Sequence, residues 1–393
     1  MQTNLADFIK NTPEGNEADA ILRACVHCGF CLATCPTYQL LGDELDSPRG
    51  RIYLMKQMLE GQPVTQKTQM HLDRCLTCRA CETVCPSGVR YGRLVDISRG
   101  IVEKQVGRGV VTGAIRFMLR HVLPKPGVFA SLLKLGQLAR PLLPGRLKHA
   151  VPPKSQEKGA WPAMRHTRKM LVLDGCVQPA LAPNINAATA RVLDQLGISL
   201  LKAEQAGCCG AVSYHLNAQQ EGLDFMRRNV DAWWPYIEKQ GIDAIVMTAS
   251  GCGVTVKEYG HLLRHDPAYA EKLAHISAIT KDVSEVLAAE ADKISDILGN
   301  SKFKIQNPVL SRVEGSKSCP EQGRRVAFHS PCTLQHGQQI SGLVEKTLLA
   351  MGCELSMVPD AHLCCGSAGT YSILQPQLSQ RLLQNKVAAL ESG

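Results

Sequence analysis

The chain lacks most of what a secreted or membrane-spanning protein carries. Its start, MQTNLADFIKNTPEGNEADA, has no charged n-region followed by an apolar run, so no signal peptide is expected. No stretch approaches the roughly 18 uninterrupted apolar residues that a bilayer-spanning helix requires. No G-x-G-x-x-G opens a helix after a strand and no P-loop is present, which argues against a flavin or nicotinamide site on this chain. The segment Gly107-Arg-Gly-Val-Val-Thr-Gly does not follow a convincing strand. Aromatic residues are scarce, at 5%. The basic runs lack aromatic interleaving and any nucleic-acid reader motif, so no nucleic-acid partner is expected. Together these absences predict a cytoplasmic, reducing location. Seventeen cysteines in such a place are metal ligands or reactive thiols rather than disulfides, and the odd total also opposes full pairing.

What is present is cysteine in two grammars. Eight cysteines lie between residues 25 and 85, and nine more begin at Cys176. Between the groups, Lys134 to Lys169 holds nine Lys or Arg against the single acid Glu157, with five prolines, and reads as an extended basic linker. The chain length of 393 residues suits two or three domains. The predicted organisation is a helical cysteine domain over 1–115, a basic Pro-rich linker or docking segment over 116–168, and two α/β repeats over 169–300 and 301–393.

In the first group, CVHCGFCLATCP returns 50 residues later as CLTCRACETVCP. C-x2-C-x2-C-x3-C-P is the bacterial-type [4Fe–4S] signature, in which the fourth cysteine serves the other cluster. The spacing assigns one cluster to Cys25, Cys28, Cys31 and Cys85, and a second to Cys75, Cys78, Cys81 and Cys35. A pair of zinc ribbons would need neither the third cysteine nor the C-P. Between the motifs, Ser47-Pro48 starts a helix that ends near Gly61, and QKTQMHLDR forms another.

The second half alternates strand and helix: KMLVLDGC, NAATARVLDQLG, ISLLKA, LNAQQEGLDFMRRNVDAWWPYIEKQG, DAIVMTASGCG. This predicts a parallel α/β sheet with cysteines just beyond the strand ends. A shift of 156 maps Cys176, Cys208, Cys209 and Gly210 onto Cys332, Cys364, Cys365 and Gly366. The second copy reaches Gly393 before any counterpart of Cys252. Cys176, Cys208, Cys209 and Cys252 make four ligands, enough for a third cube. Cys332, Cys364 and Cys365 make three, with His329, His336 and His362 nearby as helpers. Cys319 and Cys353 match neither pattern and read as structural, and His27, Trp233 and Trp234 as packing or supporting residues. GVFASLLKLGQLARPLL, residues 127 to 143, is an apolar helix with basic residues. Packing on its own domain is the commoner fate of such a helix, with an anionic membrane surface or a partner as the alternatives.

C-x31-CC-G with a later Ser-Gly-Cys-Gly resembles the CCG domain of heterodisulfide reductase-like proteins, although Cys252-Gly-Val-Thr lacks that family's final cysteine. The doubled ferredoxin motif ahead of two such repeats is similar to the iron–sulfur subunits of respiratory flavoprotein dehydrogenases, those of glycolate oxidase in particular. The resemblance rests on RACVHCGFCLATCPTYQLLGDELDSPRGRIYLMKQ, HLDRCLTCRACETVCPSGVRYGRL, TASGCGVTVKEYG and HLCCGSAGTYSI. It implies an α-helical ferredoxin-like two-cluster domain followed by an α/β domain of two CCG repeats. It also implies separate FAD-binding subunits that oxidise glycolate to glyoxylate, and electrons passing toward the quinone pool at the inner face of the cell membrane. Lactate and glycerol-3-phosphate dehydrogenase subunits share the pattern. So does a heterodisulfide reductase-like enzyme acting through its CCG domain.

Overall fold

The computed structural model describes residues 1–145, 148, 151–154, 157–300 and 325–392. Its N-terminal part is helical: α1 (Pro13–Ala24), α2 (Pro36–Leu41), α3 (Pro48–Leu59), α4 (Gln66–Asp73), α5 (Ala80–Thr83) and α6 (Tyr91–Val106). Local chemistry sets these starts. Thr12 and Ser47 accept the amide hydrogens of Gly15 and Gly50, and proline follows each at the first helical position. Cys35 precedes Pro36 in the same way, so the last cysteine of the first motif sits at a helix start. The core gathers Leu22, Met55, Leu59, Leu94 and Val95, all without solvent exposure, and Cys25, Cys75 and Cys81 belong to it.

The 50-residue sequence repeat is also a backbone repeat. His27 and Thr77 have φ of 57° and 51°, and Gly29 and Arg79 have φ of 87° and 62°. Four left-handed residues, three of them not glycine, curl both motifs alike. Each non-glycine residue there costs on the order of 1–2 kcal/mol, so packing around the loops must hold them in place.

The C-terminal part is α/β. Strands β1 (Arg168–Val172), β2 (Ile198–Lys202), β3 (Ile242–Met247) and β4 (Thr280–Asp282) form a parallel sheet in the order β2-β1-β3-β4. Leu171, Ile245 and Val246 are fully buried at its centre, and Trp233 of the long helix Gln219–Gln240 is buried against it. Strands β5 (Arg325–Ala327) and β6 (Glu354–Ser356) pair in parallel as a second, smaller sheet. Shifting β2 by 156 residues lands on β6, so the sequence repeat survives in the fold. Cys252 lies on the helix Ser250–Lys257 rather than in the loop after β3.

The stretch between the halves carries α7 (Val110–Val122) and α8 (Pro126–Ala139), followed by a tight turn to Leu142. Helix α8 and its turn are the helix expected over 127–143, and they take in the first residues of the linker expected to be extended from Lys134. Helix α8 lies against α7 and the short helix Gln178–Leu181 with Phe129 and Leu133 half-buried, and none of its residues is fully buried.

Ion pairs join the helical part to the first α/β repeat. Glu17 on α1 accepts from Arg93 Nη2 at 3.0 Å, Arg264 Nη2 at 3.2 Å and His261 Nε2 at 2.7 Å. Arg93 also donates to the Tyr214 hydroxyl at 2.8 Å, and Arg79 grips both carboxylate oxygens of Glu258. Burial alone would raise the pKa of Glu17, but the Arg93 guanidinium and the His261 ring reverse the balance and hold it at about 2. A carboxylate depressed in the fold contributes stability above its unfolded pKa of about 4.3, and that stability is lost as pH falls toward 2. Glu17→Gln should therefore lower stability by about 2 kcal/mol at pH 7, an amount already discounted for partial exposure. The gap in melting temperature between the two proteins should narrow from about pH 5 downward and close near pH 2; a gap independent of pH would contradict this.

Candidate metal centres

Two adjoining cavities in the helical part are lined by the motif cysteines. The first is bounded by Cys25, Cys28, Cys31, Cys85 and Cys81, with apolar walls from Val26, Phe30, Ile52 and Val89. The second is bounded by Cys35, Cys75, Cys78 and Cys81, with Thr37, Leu76 and Arg51. Pro48, Cys81 and Tyr91 line both. Each cavity thus receives a fourth cysteine from the other motif: Cys85 for the first and Cys35 for the second. The two differ in access. Cys28 is exposed and Phe30 is 63% exposed beside the first cavity, whereas the second lies under the second α/β repeat.

Buried polar groups set the cysteines in place. Cys35 Sγ lies 3.3 Å from Thr37 Oγ1, which donates to the Asp46 carbonyl at 2.9 Å. The Asp46 carboxylate is fully buried and accepts from Arg51 Nη2 at 3.2 Å, Arg74 Nη1 at 2.8 Å and the His71 ring at 3.1 Å. Arg51 also donates to Thr37 Oγ1 and to the His71 carbonyl. Asp43, Asp46 and His71 are spaced closely enough for an ion, but two guanidinium groups already balance the Asp46 charge. Arg99 clamps the other motif by donating to the carbonyls of Leu72 and Cys75, both at 2.6 Å. Amide hydrogens of Thr77 and Val89 point at the sulfurs of Cys75 and Cys85.

These residues fit an iron–sulfur cube better than a zinc ion. Among the described residues no three cysteine sulfurs lie within 4.8 Å of one another. Four thiolates on one zinc stand about 3.8 Å apart, given Zn–S bonds of about 2.3 Å, whereas a cube gives each thiolate its own iron. In the residues that line these cavities, two buried donors have no partner among the described residues: His27 Nε2 at the first cavity and Tyr91 Oη at both. A cluster's sulfides are the acceptors such donors lack. Burial, with Cys25 alongside, pushes the Cys31 thiol up to about 11, and burial also raises the Cys78 and Cys81 thiols well above the ordinary range. Such thiols ionise only against a bound cation. Tyr91 and Arg51 had no local signal in the sequence, and His27 stood out only as an interruption of the motif.

In the first α/β repeat the four cysteines form a chain of sulfur contacts: Cys176 with Cys208, Cys208 with Cys209, and Cys209 with Cys252. The hydrogen bond to Cys208 and then burial raise Cys176 strongly. Asn229 Nδ2 donates to the Cys208 carbonyl at 3.0 Å, and the Tyr259 hydroxyl to that of Cys209 at 2.7 Å. The following glycine is required sterically. Gly210 has φ +89°, and a Cβ there would stand 2.5 Å from the Gly222 carbonyl oxygen.

The second repeat brings Cys332, Cys364 and Cys365 together by the same contacts, and the further cysteine that packs beside Cys364 is Cys78 of the second N-terminal motif rather than a member of the repeat. His336 is engaged, with one ring nitrogen 2.9 Å from Thr83 Oγ1 and the other 2.9 Å from the His362 carbonyl oxygen. His329 retains a buried, unpartnered Nε2. Cys364, Tyr371 and Leu382 pack on Leu76 and Cys78, which places this repeat over the second cavity. Cys353 is buried apart from both groups, and Cys319 lies outside the described residues.

Two cysteine-lined cavities on a helical unit, followed by paired cysteine-rich α/β repeats, define an iron–sulfur protein of the [4Fe–4S] class. Comparison with known families agrees. Residues 21–89 match a 4Fe-4S dicluster domain, and residues 170–257 and 326–393 match a cysteine-rich (CCG) domain. The glycolate oxidase iron-sulfur subunit of Escherichia coli K12 is 54% identical over 393 residues, which is all of this chain and 91% of that protein. The probable glycolate oxidase iron-sulfur subunit of Bacillus subtilis 168 is 29% identical over 94% of this chain and 84% of its own length. One subunit of the fumarate reductase (CoM/CoB) of Methanothermobacter marburgensis is 24% identical over 98% of this chain and 67% of its own length. The chain belongs to the glycolate oxidase iron–sulfur subunit family.

The close approach at Gly210 gives a test. Gly210→Ala should cost about 3 kcal/mol by combining backbone strain with the clash. Gly175→Ala, where φ is +80° but no atom lies within 4 Å, should cost only the strain, about 1–2 kcal/mol. Denaturant unfolding of the two variants should preserve that order.

Proposed function

We propose that the chain is the electron-transfer subunit of a membrane-associated glycolate dehydrogenase complex, a subunit with no substrate-oxidising site of its own. FAD-binding partner subunits oxidise glycolate to glyoxylate, and this chain carries the electrons toward the quinone pool at the cytoplasmic face of the membrane. The observation that carries the reading is the pair of adjoining cavities with Cys81, Tyr91 and Pro48 between them. Such a pair is a short conduit with no room set aside for an organic substrate.

In this reading Cys25, Cys28, Cys31 and Cys85 hold one cluster, and Cys75, Cys78, Cys81 and Cys35 the other. Cys176, Cys208, Cys209 and Cys252 hold a third. The three thiols of the second repeat form an incomplete set. The domain limits of 1–115, 116–168, 169–300 and 301–393 belong to the same proposal. A bound [4Fe–4S] cube supplies one-electron storage, which complements a flavin that releases its two electrons singly. The protein's own residues fix the thiolates, exclude water from the second cavity and donate hydrogen bonds toward the bound sulfides. Arg51, buried beside Cys35 and Cys75, places a permanent positive charge next to the second site.

Anaerobic purification with iron and sulfide analysis, combined with EPR, tests this. The chain should contain no flavin and should be reduced by glycolate only when its flavoprotein partners are added. Reduction by glycolate with this chain alone would overturn the proposal. Cys208→Ser should remove about four irons and leave about eight; unchanged iron content would exclude a cluster in the first repeat.

A further inference from the structure

Helix α7 is turned inside out relative to an ordinary surface helix, and α8 is apolar on its outer side as well as its inner one. On α7 the side facing the protein is polar. Arg116 is buried and pairs with Asp73 at 3.3 Å, and Arg120 pairs with Glu221 at 2.6 Å, which ties the helix to both halves of the molecule. Its apolar residues face outward, with Val111 74%, Phe117 57% and Met118 59% exposed. On α8 and the turn after it, Val128, Leu132, Leu135, Leu138 and Leu142 recur at helical spacing along one side and are all exposed, Leu138 by 80% and Leu142 by 90%. Water is a poor solvent for so long an apolar stripe, and such a stripe marks a contact surface.

Charge indicates what covers it. From Lys104 to Gln156 the sequence has ten Lys or Arg and no Asp or Glu. The remainder of the chain carries 34 Lys or Arg against 35 acids, the totals being 44 and 35. The whole net charge of +9 therefore resides in this one segment. Beside Leu138, an open depression of about 650 Å³ is lined by Lys134, Arg140, Lys148 and Lys154, with no acid among the described residues of its wall. A cavity of this kind suits phosphate groups. Apolar side chains pointing outward, flanked by charge of one sign and a phosphate-sized basic recess, are what an anionic lipid leaflet binds. No described helix is long and apolar enough to cross a membrane. At about 21 Å in length, α8 would lie in the plane of the interface.

We propose that α7, α8 and the basic depression behind them form the membrane-docking surface of this chain, with the leucine stripe in the acyl boundary and lipid phosphates in the depression. The proposal rests on the reading of the chain as a membrane-associated subunit, and assigns that property to one surface and one lipid chemistry.

The test is flotation of the cluster-loaded chain, alone and with its flavoprotein partners, on vesicles of phosphatidylcholine with or without phosphatidylglycerol. Wild type should bind the anionic vesicles at least about tenfold more strongly than the neutral ones, with binding falling as salt is raised. Leu135→Asp with Leu138→Asp, and separately Arg140→Gln with Lys148→Gln, should each reduce that binding about tenfold or more. Iron content and glycolate-driven reduction in vesicle-free solution should be unchanged, which keeps this result separate from the electron-transfer reading. Equal binding by wild type and both variants would overturn the proposal. So would variants that still bind vesicles but no longer copurify with the flavoprotein subunits, since the surface would then be a protein interface.

Discussion

The buried pairing of Asp46 with Arg51 is the constraint on which the cysteine geometry depends. Asp46 is 0% exposed and Arg51 1% exposed, so the buried Arg51 charge is tolerated because of Asp46, whose own charge Arg74 helps to balance. Removing either partner of such a pair typically costs about 3–5 kcal/mol. The pair also acts across distance in the chain. Through Thr37 it steadies Cys35 of the first motif, and through His71 and Arg74 it reaches the helix end just before Cys75 of the second. Two loops 50 residues apart are thereby registered against each other before any metal is considered. That registration lets each cavity draw a cysteine from the opposite motif, and it opposes the backbone strain at His27, Thr77 and Arg79.

Much of this was legible in the sequence, because repeats and caps are local signals. Ser47-Pro48 marked the start of α3, the strand-forming runs marked β1, β2 and β3, and the shift of 156 related β2 to β6. The motif cysteines stood out by spacing alone. Three features did not. The short strand β4 (Thr280–Asp282) has too little periodicity to register, and only its pairing with β3 defines it. Helix α7 (Val110–Val122) has no side-chain cap at its Gly109 start to mark it. The donors His27 and Tyr91 matter only through where packing aims them, which no spacing reveals.

The three parts of the molecule are arranged so that the two cysteine cavities have different neighbours. Arg79, Arg93 and Asp96 bind the helical part to the first α/β repeat, and His215 pairs with Asp96 at 3.1 Å. Leu76 and Cys78 receive the second repeat through Cys364 and Tyr371. The repeats also touch each other, where Ser250 Oγ lies 2.7 Å from Thr333 Oγ1. Most polar contacts between the parts are made by charged side chains, so the assembly is specified by complementary charge while apolar packing seals the second cavity.

The exposure of Cys28 sets this thiol apart from every other described cysteine. A metal centre held at that edge of the first cavity meets dissolved oxygen and superoxide directly, while its neighbour is shielded by the second repeat. Surface access favours rapid electron exchange with another protein, and it also opens a route for oxidative disassembly. In air the two centres would decay in sequence, the outer one first, and a preparation would keep most of its colour after losing the exposed centre.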